Sequence, residues 1–114
     1  MTSPILTIDV AHPPRSSDAV EAELLDAWTQ IRNSGSLHVV KIIHGYGSTG
    51  KGGSTKAFVQ NWAFHHKTKF KRVIDGTHYN LYDNDTQEMR KEVGQYTDPD
   101  LQRSNPGVTV IWVK

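Results

Sequence analysis

Apolar residues change their period along the chain, and each change marks an element. Ile5-Leu6-Thr7-Ile8-Asp9-Val10 is a short β-rich run stopped by Pro13-Pro14, which predicts a first strand ending near Val10. Ser16-Ser17-Asp18 then offers a helix N-cap, with Glu21 three residues after Asp18 in a capping-box spacing. Val20, Leu24, Ala27, Trp28 and Ile31 recur at helical spacing and form one apolar face. Asn33-Ser34-Gly35 closes that helix, with Gly35 free to take a left-handed cap.

From Leu37 to His44, apolar residues occupy both parities, as Val39-Val40 and Ile42-Ile43, which predicts a strand in the middle of a sheet. Five glycines lie between Gly45 and Gly53, too many for the interior of a helix or strand. A second helix is expected from near Ser54 to His66, with Phe58, Val59, Trp62 and Ala63 inward and a basic exit from Lys67 to Lys71. Arg72-Val73-Ile74-Asp75 predicts a third strand. Asp85 is expected to cap a weaker third helix, with Glu88 at the box position and Met89 and Val93 inward. Turn clusters follow at Thr97-Asp98-Pro99-Asp100 and Ser104-Asn105-Pro106-Gly107, before a last strand from Val108 to Val113. Alternation would leave Trp112 partly exposed. The order β-α-β-α-β-(α)-β predicts a two-layer α/β sandwich around a four-stranded mixed sheet. It is expected to form one domain over residues 1–114, without repeats or a low-complexity tail.

Composition narrows the function classes. The 114 residues contain no cysteine, which excludes disulfides, thiolate zinc sites and a cysteine nucleophile. No apolar run approaches bilayer length, and the N-terminus lacks a basic region followed by an apolar one. A cytoplasmic location without membrane attachment is therefore expected. The net charge of +1 hides a strong asymmetry. Eight basic residues and no acid lie between Ala27 and Ile74, namely Arg32, Lys41, Lys51, Lys56, Lys67, Lys69, Lys71 and Arg72. That distribution predicts a basic face suited to phosphate.

The glycine run carries the sharpest candidate chemistry. Gly45-x4-Gly50-Lys51 follows a strand and precedes a helix, but Gly52 stands where a nucleotide-hydrolysing phosphate loop needs Ser or Thr for magnesium. A plain flexible connection is the bland alternative. Against it, glycines that bare backbone N–H groups near a helix N-terminus make an anion site. Lys51 and Lys56, with the hydroxyls of Ser48, Thr49, Ser54 and Thr55, would strengthen that site.

Ile42-Ile43-His44-Gly45-Tyr46-Gly47 resembles the His-Gly-x-Gly signature of Smr (small MutS-related) domains. Gly53-x-x-Lys56 with Val59 and Trp62 follows the same pattern, with lysine where the family commonly has arginine. Pro106 to Ile111 resembles the family's closing glycine-x-threonine strand, and Ile8-Asp9-Val10 resembles the front of its Leu-Asp-x-His signature. The histidine of that signature is replaced by Ala11, and His12 comes one residue later. The glycine loop is longer than the family's, and residues 76–102 read as an insertion. The resemblance implies an α/β nucleic-acid-binding domain that recognises structure rather than sequence in DNA or RNA. It also implies a possible metal-dependent nicking endonuclease. A non-catalytic module that has lost cleavage, and a small anion or nucleotide binder, are the alternatives.

Under that resemblance the catalytic candidates are Asp9, His12 and His44. Asp9 would act as general base or hold Mg or Mn, His12 would stand in for the family histidine, and His44 would serve as acid or base. Gly45, Tyr46, Gly47, Lys51, Gly53 and Lys56 would bind phosphate or nucleic acid, with Tyr46 stacking on a base. Tyr79 and Tyr82 are further stacking candidates. Duller alternatives stand beside these roles. Asp9 would cap a turn, His12 would be a solvated loop residue, and His44 would fix the glycine turn. His65 and His66 are expected to face solvent, and Trp28 and Trp62 to lie in the core.

Overall fold

The computed structural model describes residues 3–45 and 52–114. Its chain order is β1 (Ile5–Asp9), α1 (Ser17–Arg32), β2 (Val39–Ile43), α2 (Gly52–His65), β3 (Phe70–Asp75), α3 (Asn84–Val93) and β4 (Val108–Val113). The strands form one mixed sheet in the order β1-β2-β4-β3. β1 and β2 run parallel, and β4 is antiparallel to both of its neighbours. The architecture is the expected α/β sandwich with a four-stranded mixed sheet.

Helices α1 and α2 form the second layer, and the periodic apolar residues explain why. Val20, Leu24, Ala27 and Ile31 of α1 and Val59, Trp62 and Ala63 of α2 pack on Val40, Ile42, Ile111 and Val113 of the sheet. The sheet's other face is backed by the long connection between β3 and β4, residues 76–107. Tyr79, Met89, Tyr96 and Leu101 from that connection cover Val39, Val108, Val110 and Trp112. Trp112 is accordingly buried rather than partly exposed. The segment that reads as an insertion is the reason, because it roofs the face alternation would leave open.

Several local expectations shift by a few residues. Within the expected Ser16-Ser17-Asp18 cap group it is Ser16 that caps α1, accepting from the Ala19 amide, so the Asp18–Glu21 box spacing is not the one used. Asp83, not Asp85, caps α3 through the Thr86 amide. The α1 cap closes at Asn33 in ordinary right-handed geometry, and Gly35 does not take a left-handed one. At Gly76 glycine is obligatory: a Cβ there would lie 1.9 Å from the Asn105 carbonyl oxygen and 2.4 Å from that of Val108. Among the described residues, no helix is long and apolar enough to cross a membrane.

Candidate functional site

One end of the sheet gathers most of the candidate chemistry. The C-termini of β1, β2 and β3 and the start of β4 all lie there, because β4 runs against the others. Asp9 ends β1. Its Oδ1 accepts from the Ala11 amide at 2.9 Å and the His12 amide at 3.0 Å, so the carboxylate folds the chain into a tight turn. The same turn brings His12 Nδ1 to 3.0 Å from Asp9 Oδ2. Burial pushes the Asp9 carboxyl up, but the bonds from Ala11 and His12 outweigh it and hold it below the ordinary carboxylate range. The His12 side chain is 74% exposed. The single-residue displacement from Ala11 to His12 therefore does not part the histidine from the aspartate.

His44 follows β2 and lies elsewhere. It is wholly buried, with Nδ1 2.7 Å from the Gly45 carbonyl oxygen and Nε2 2.8 Å from Thr109 Oγ1. A carbonyl only accepts, so Nδ1–H donates to it and Nε2 accepts from the threonine hydroxyl. Burial, with Lys56 adding repulsion, pushes the imidazole below its ordinary value, and it stays neutral. Gly45 has φ of +75°, and the ring braces that left-handed turn.

The strand pattern separates His44 from Asp9. Val40 and Ile42 face α1 and α2, and His44 continues that side with Thr109. In β1 it is Leu6, Ile8 and Val10 that face those helices, so Asp9 leaves from the opposite face. The structure joins Asp9 to His12 and sets His44 among other partners. Of these, Gly45 and Lys56 were candidates from the sequence, whereas the nearby Asp75 was not singled out. Asp75 ends β3 and pairs in register with Thr109 of β4. Its Oδ1 accepts from Thr77 N and Oγ1, and its Oδ2 from Gln60 Nε2 at 3.1 Å. Burial raises its carboxyl, but those bonds and the half-buried Lys56 outweigh it and keep it ionised. Its position at a strand end, like that of Asp9, was the available signal.

A cleft of about 330 Å³ opens between the first turns of α1 and α2, lined by Arg15, Ser17, Ser54, Thr55 and Phe58. Arg15 also holds Glu23 through two bonds of 2.6 and 2.8 Å. Gly53 lies in the first turn of α2. The candidates Tyr46, Gly47 and Lys51 lie outside the described residues.

Mg or Mn seeks several carboxylate or carbonyl oxygens in octahedral array. The two oxygens of Asp9 and of Asp75 already accept hydrogen bonds, and no group of three His, Asp or Glu side chains converges among the described residues. Among the described residues, the donors that such an ion would find at this end of the sheet are the separate carboxylates of Asp9 and Asp75.

One basic-face candidate and one stacking candidate are corrected by burial. Lys41 lies under the 76–107 connection, paired to Asp98 at 2.8 Å and Asp100 at 2.6 Å. Burial alone would lower its ammonium, but the two carboxylates outweigh that and raise it. Tyr79 is fully buried, its hydroxyl 2.9 Å from that of Tyr96 and 3.2 Å from Asp98 Oδ2, so it stacks on no external base. Burial, partly offset by the bond with Tyr79, pushes the Tyr96 phenol up to about 12. Tyr82 is exposed, Trp62 is in the core, Trp28 packs against the core, His65 is exposed and His66 is half-buried. Comparisons with protein-family models, characterised proteins and solved structures find no match.

Proposed function

We propose that this chain is a nucleic-acid-binding module of Smr-like type that grips phosphodiester backbone at the end of the sheet holding Asp9, His44 and Asp75. The observation that carries this is the cleft at which the first turns of α1 and α2 meet beside Arg15. Two helix N-termini bring their partial positive charge to one place, where phosphate oxygens are favourable guests. Hydroxyls of Ser17 and Thr55 line the cleft, and Lys56 lies one turn into α2. Backbone contact without a base-reading helix favours structure over sequence in DNA or RNA. A cytoplasmic location belongs to the same proposal.

Anisotropy titrations of structured RNA and duplex DNA over a salt series test it. Affinity should fall steeply with salt, and Lys56→Ala should lower the log–log slope by about one. Salt-independent binding, or a slope untouched by Lys56→Ala, overturns the proposal.

The Asp9–His12 pair favours a second reading, phosphodiester cleavage. Asp9 takes the Nδ1–H of His12, which leaves Nε2 as the acceptor nitrogen in solvent. In that tautomer His12 would take the proton of an attacking water or ribose 2′-hydroxyl as the new P–O bond forms, Asp9 would stabilise the imidazolium, and the 5′-oxygen would leave as its P–O bond breaks, protonated by solvent water. No step runs through a metal ion. Buried His44, with both ring nitrogens engaged, would hold the glycine turn instead of moving protons. Cleavage of structured RNA should then persist in chelator and drop by roughly 10²-fold or more in His12→Ala, with binding kept. Equal rates for His12→Ala and the parent would remove this reading and leave binding standing.

A further inference from the structure

The sheet is wider than the two helices that cover it. α2 lies over β4, and the strand beyond it, β3, keeps Val73 40% exposed on the same face. The uncovered strip is a groove of about 460 Å³, lined among others by Gln60, Phe64 and Lys67 of α2 and its exit, and by Val73, Asp75 and Thr109 of the sheet. That volume is within the range of small-ligand sites. We propose that this groove holds one unpaired, amino-bearing nucleobase with its phosphate. The base stacks on Phe64 over Val73, Asp75 and Gln60 accept from its amino group, and Lys67 pairs with the phosphate. This rests on the nucleic-acid reading above and names the strand class it takes: one with an accessible single base.

Three features of the groove select that ligand. Phe64 is 63% exposed, an unusual setting for a phenylalanine on a helix, and it offers a π-face to any base. Lys67 sits with Nζ 4.4 Å from the Phe64 centroid and has no ion pair among the described residues. A base that takes the ring face displaces this ammonium, which is then available to the base's own phosphate. At the other end, acceptors predominate. Asp75 receives three bonds, from Thr77 and Gln60, and a carboxylate has room for a fourth. Gln60 spends its amide nitrogen on Asp75, which leaves its carbonyl oxygen as an acceptor. The groove therefore asks for a flat ring with an anion at one end and hydrogen-bond donors at the other. Cytosine, with its exocyclic amino group, meets that demand, and uracil presents a carbonyl at the same place.

The test is an NMR titration of the full chain, read at the Val73 methyls, with cytidine 5′-monophosphate, uridine 5′-monophosphate and ribose 5-phosphate. Saturable shifts are expected with the cytidine nucleotide, about tenfold weaker binding with the uridine nucleotide, and none with ribose 5-phosphate. Phe64→Ala should weaken the cytidine nucleotide about tenfold, with Phe64→Tyr restoring it. Asp75→Asn should narrow the gap between the two nucleotides. Still Val73 methyls, or equal shifts from ribose 5-phosphate, overturn the proposal, as does equal affinity for the two nucleotides. The salt slope of Lys56→Ala reports separately on backbone gripping, so failure of the groove and failure of the nucleic-acid reading give different patterns.

Discussion

Asp9 and His12 lie three residues apart in the chain and meet at 3.0 Å, in solvent. Lys41 and Asp98 lie 57 residues apart and meet at 2.8 Å, with side chains only 9% and 8% exposed. Both are acid–base pairs at the sheet, on strands that neighbour one another, yet they serve opposite ends. Water competes for the first pair, so its hydrogen bond adds little to stability and its other ring nitrogen remains open to a substrate. The second pair fastens the roof of the sheet and is closed to any substrate. Charge in a sequence thus says nothing of its use until burial is known.

Substitution should expose that contrast most sharply at Lys41. Lys41→Ala strands the carboxylates of Asp98 and Asp100 under the roof, and a loss of roughly 3–5 kcal/mol is expected. Urea unfolding followed by circular dichroism would measure it. A loss below about 1 kcal/mol would mean that the roof does not depend on the pair. Gly76→Ala, at the first residue of the same connection, should cost roughly 1–3 kcal/mol, because the new methyl meets backbone carbonyls that cannot turn aside.

A pH effect of intermediate size is expected from His44. Its imidazole is held below 6.5, so the unfolded chain binds the proton more readily than the folded one. Stability contributed by the neutral ring is whole above pH 6.5 and drains away as pH falls through the folded value. Urea midpoints at pH 7.5 and 5.5 should therefore differ more in the parent than in His44→Gln. The smallest effect belongs to the exposed pair. His12→Ala should change stability by less than about 1 kcal/mol while lowering any cleavage by roughly 10²-fold or more. A large stability loss there would show that the turn at Asp9 relies on the imidazole and would blur the contrast.

Much of the fold was legible because it is written in local periodicity. The faces of α1 and α2, the central position of β2 and the limits of β4 follow from spacing alone. The roof was not legible. Residues 76–107 lack a strong period, and their hold on the sheet comes from Tyr79, Met89, Leu101 and the Lys41 pair, which are long-range contacts. Caps moved for a similar reason. Ser16 and Asp83 compete with equally suitable neighbours, and backbone entry angle decides between them. At the site, the Asp9–His12 meeting follows from a turn spanning four residues. His44 was visible as a residue of interest, but its burial depends on Thr109, a residue 65 positions away. Asp75 and Gln60 went unseen because each looks like an ordinary surface residue until β3 is laid beside β4.

β3 and β4 are adjacent antiparallel strands, a pairing that many proteins close with a tight turn. Here they are joined by residues 76–107. Closing a connection of roughly thirty residues instead of about four costs about 2 kcal/mol of chain entropy. No local zipper can therefore bring β3 home. On that cost β3 is expected to pair after its connection docks, and its amides should exchange with solvent before those of β2 in a native-state hydrogen-exchange series. The groove along its open flank is built on that latecomer, so any ligand held there would act as a clasp on the last strand to settle.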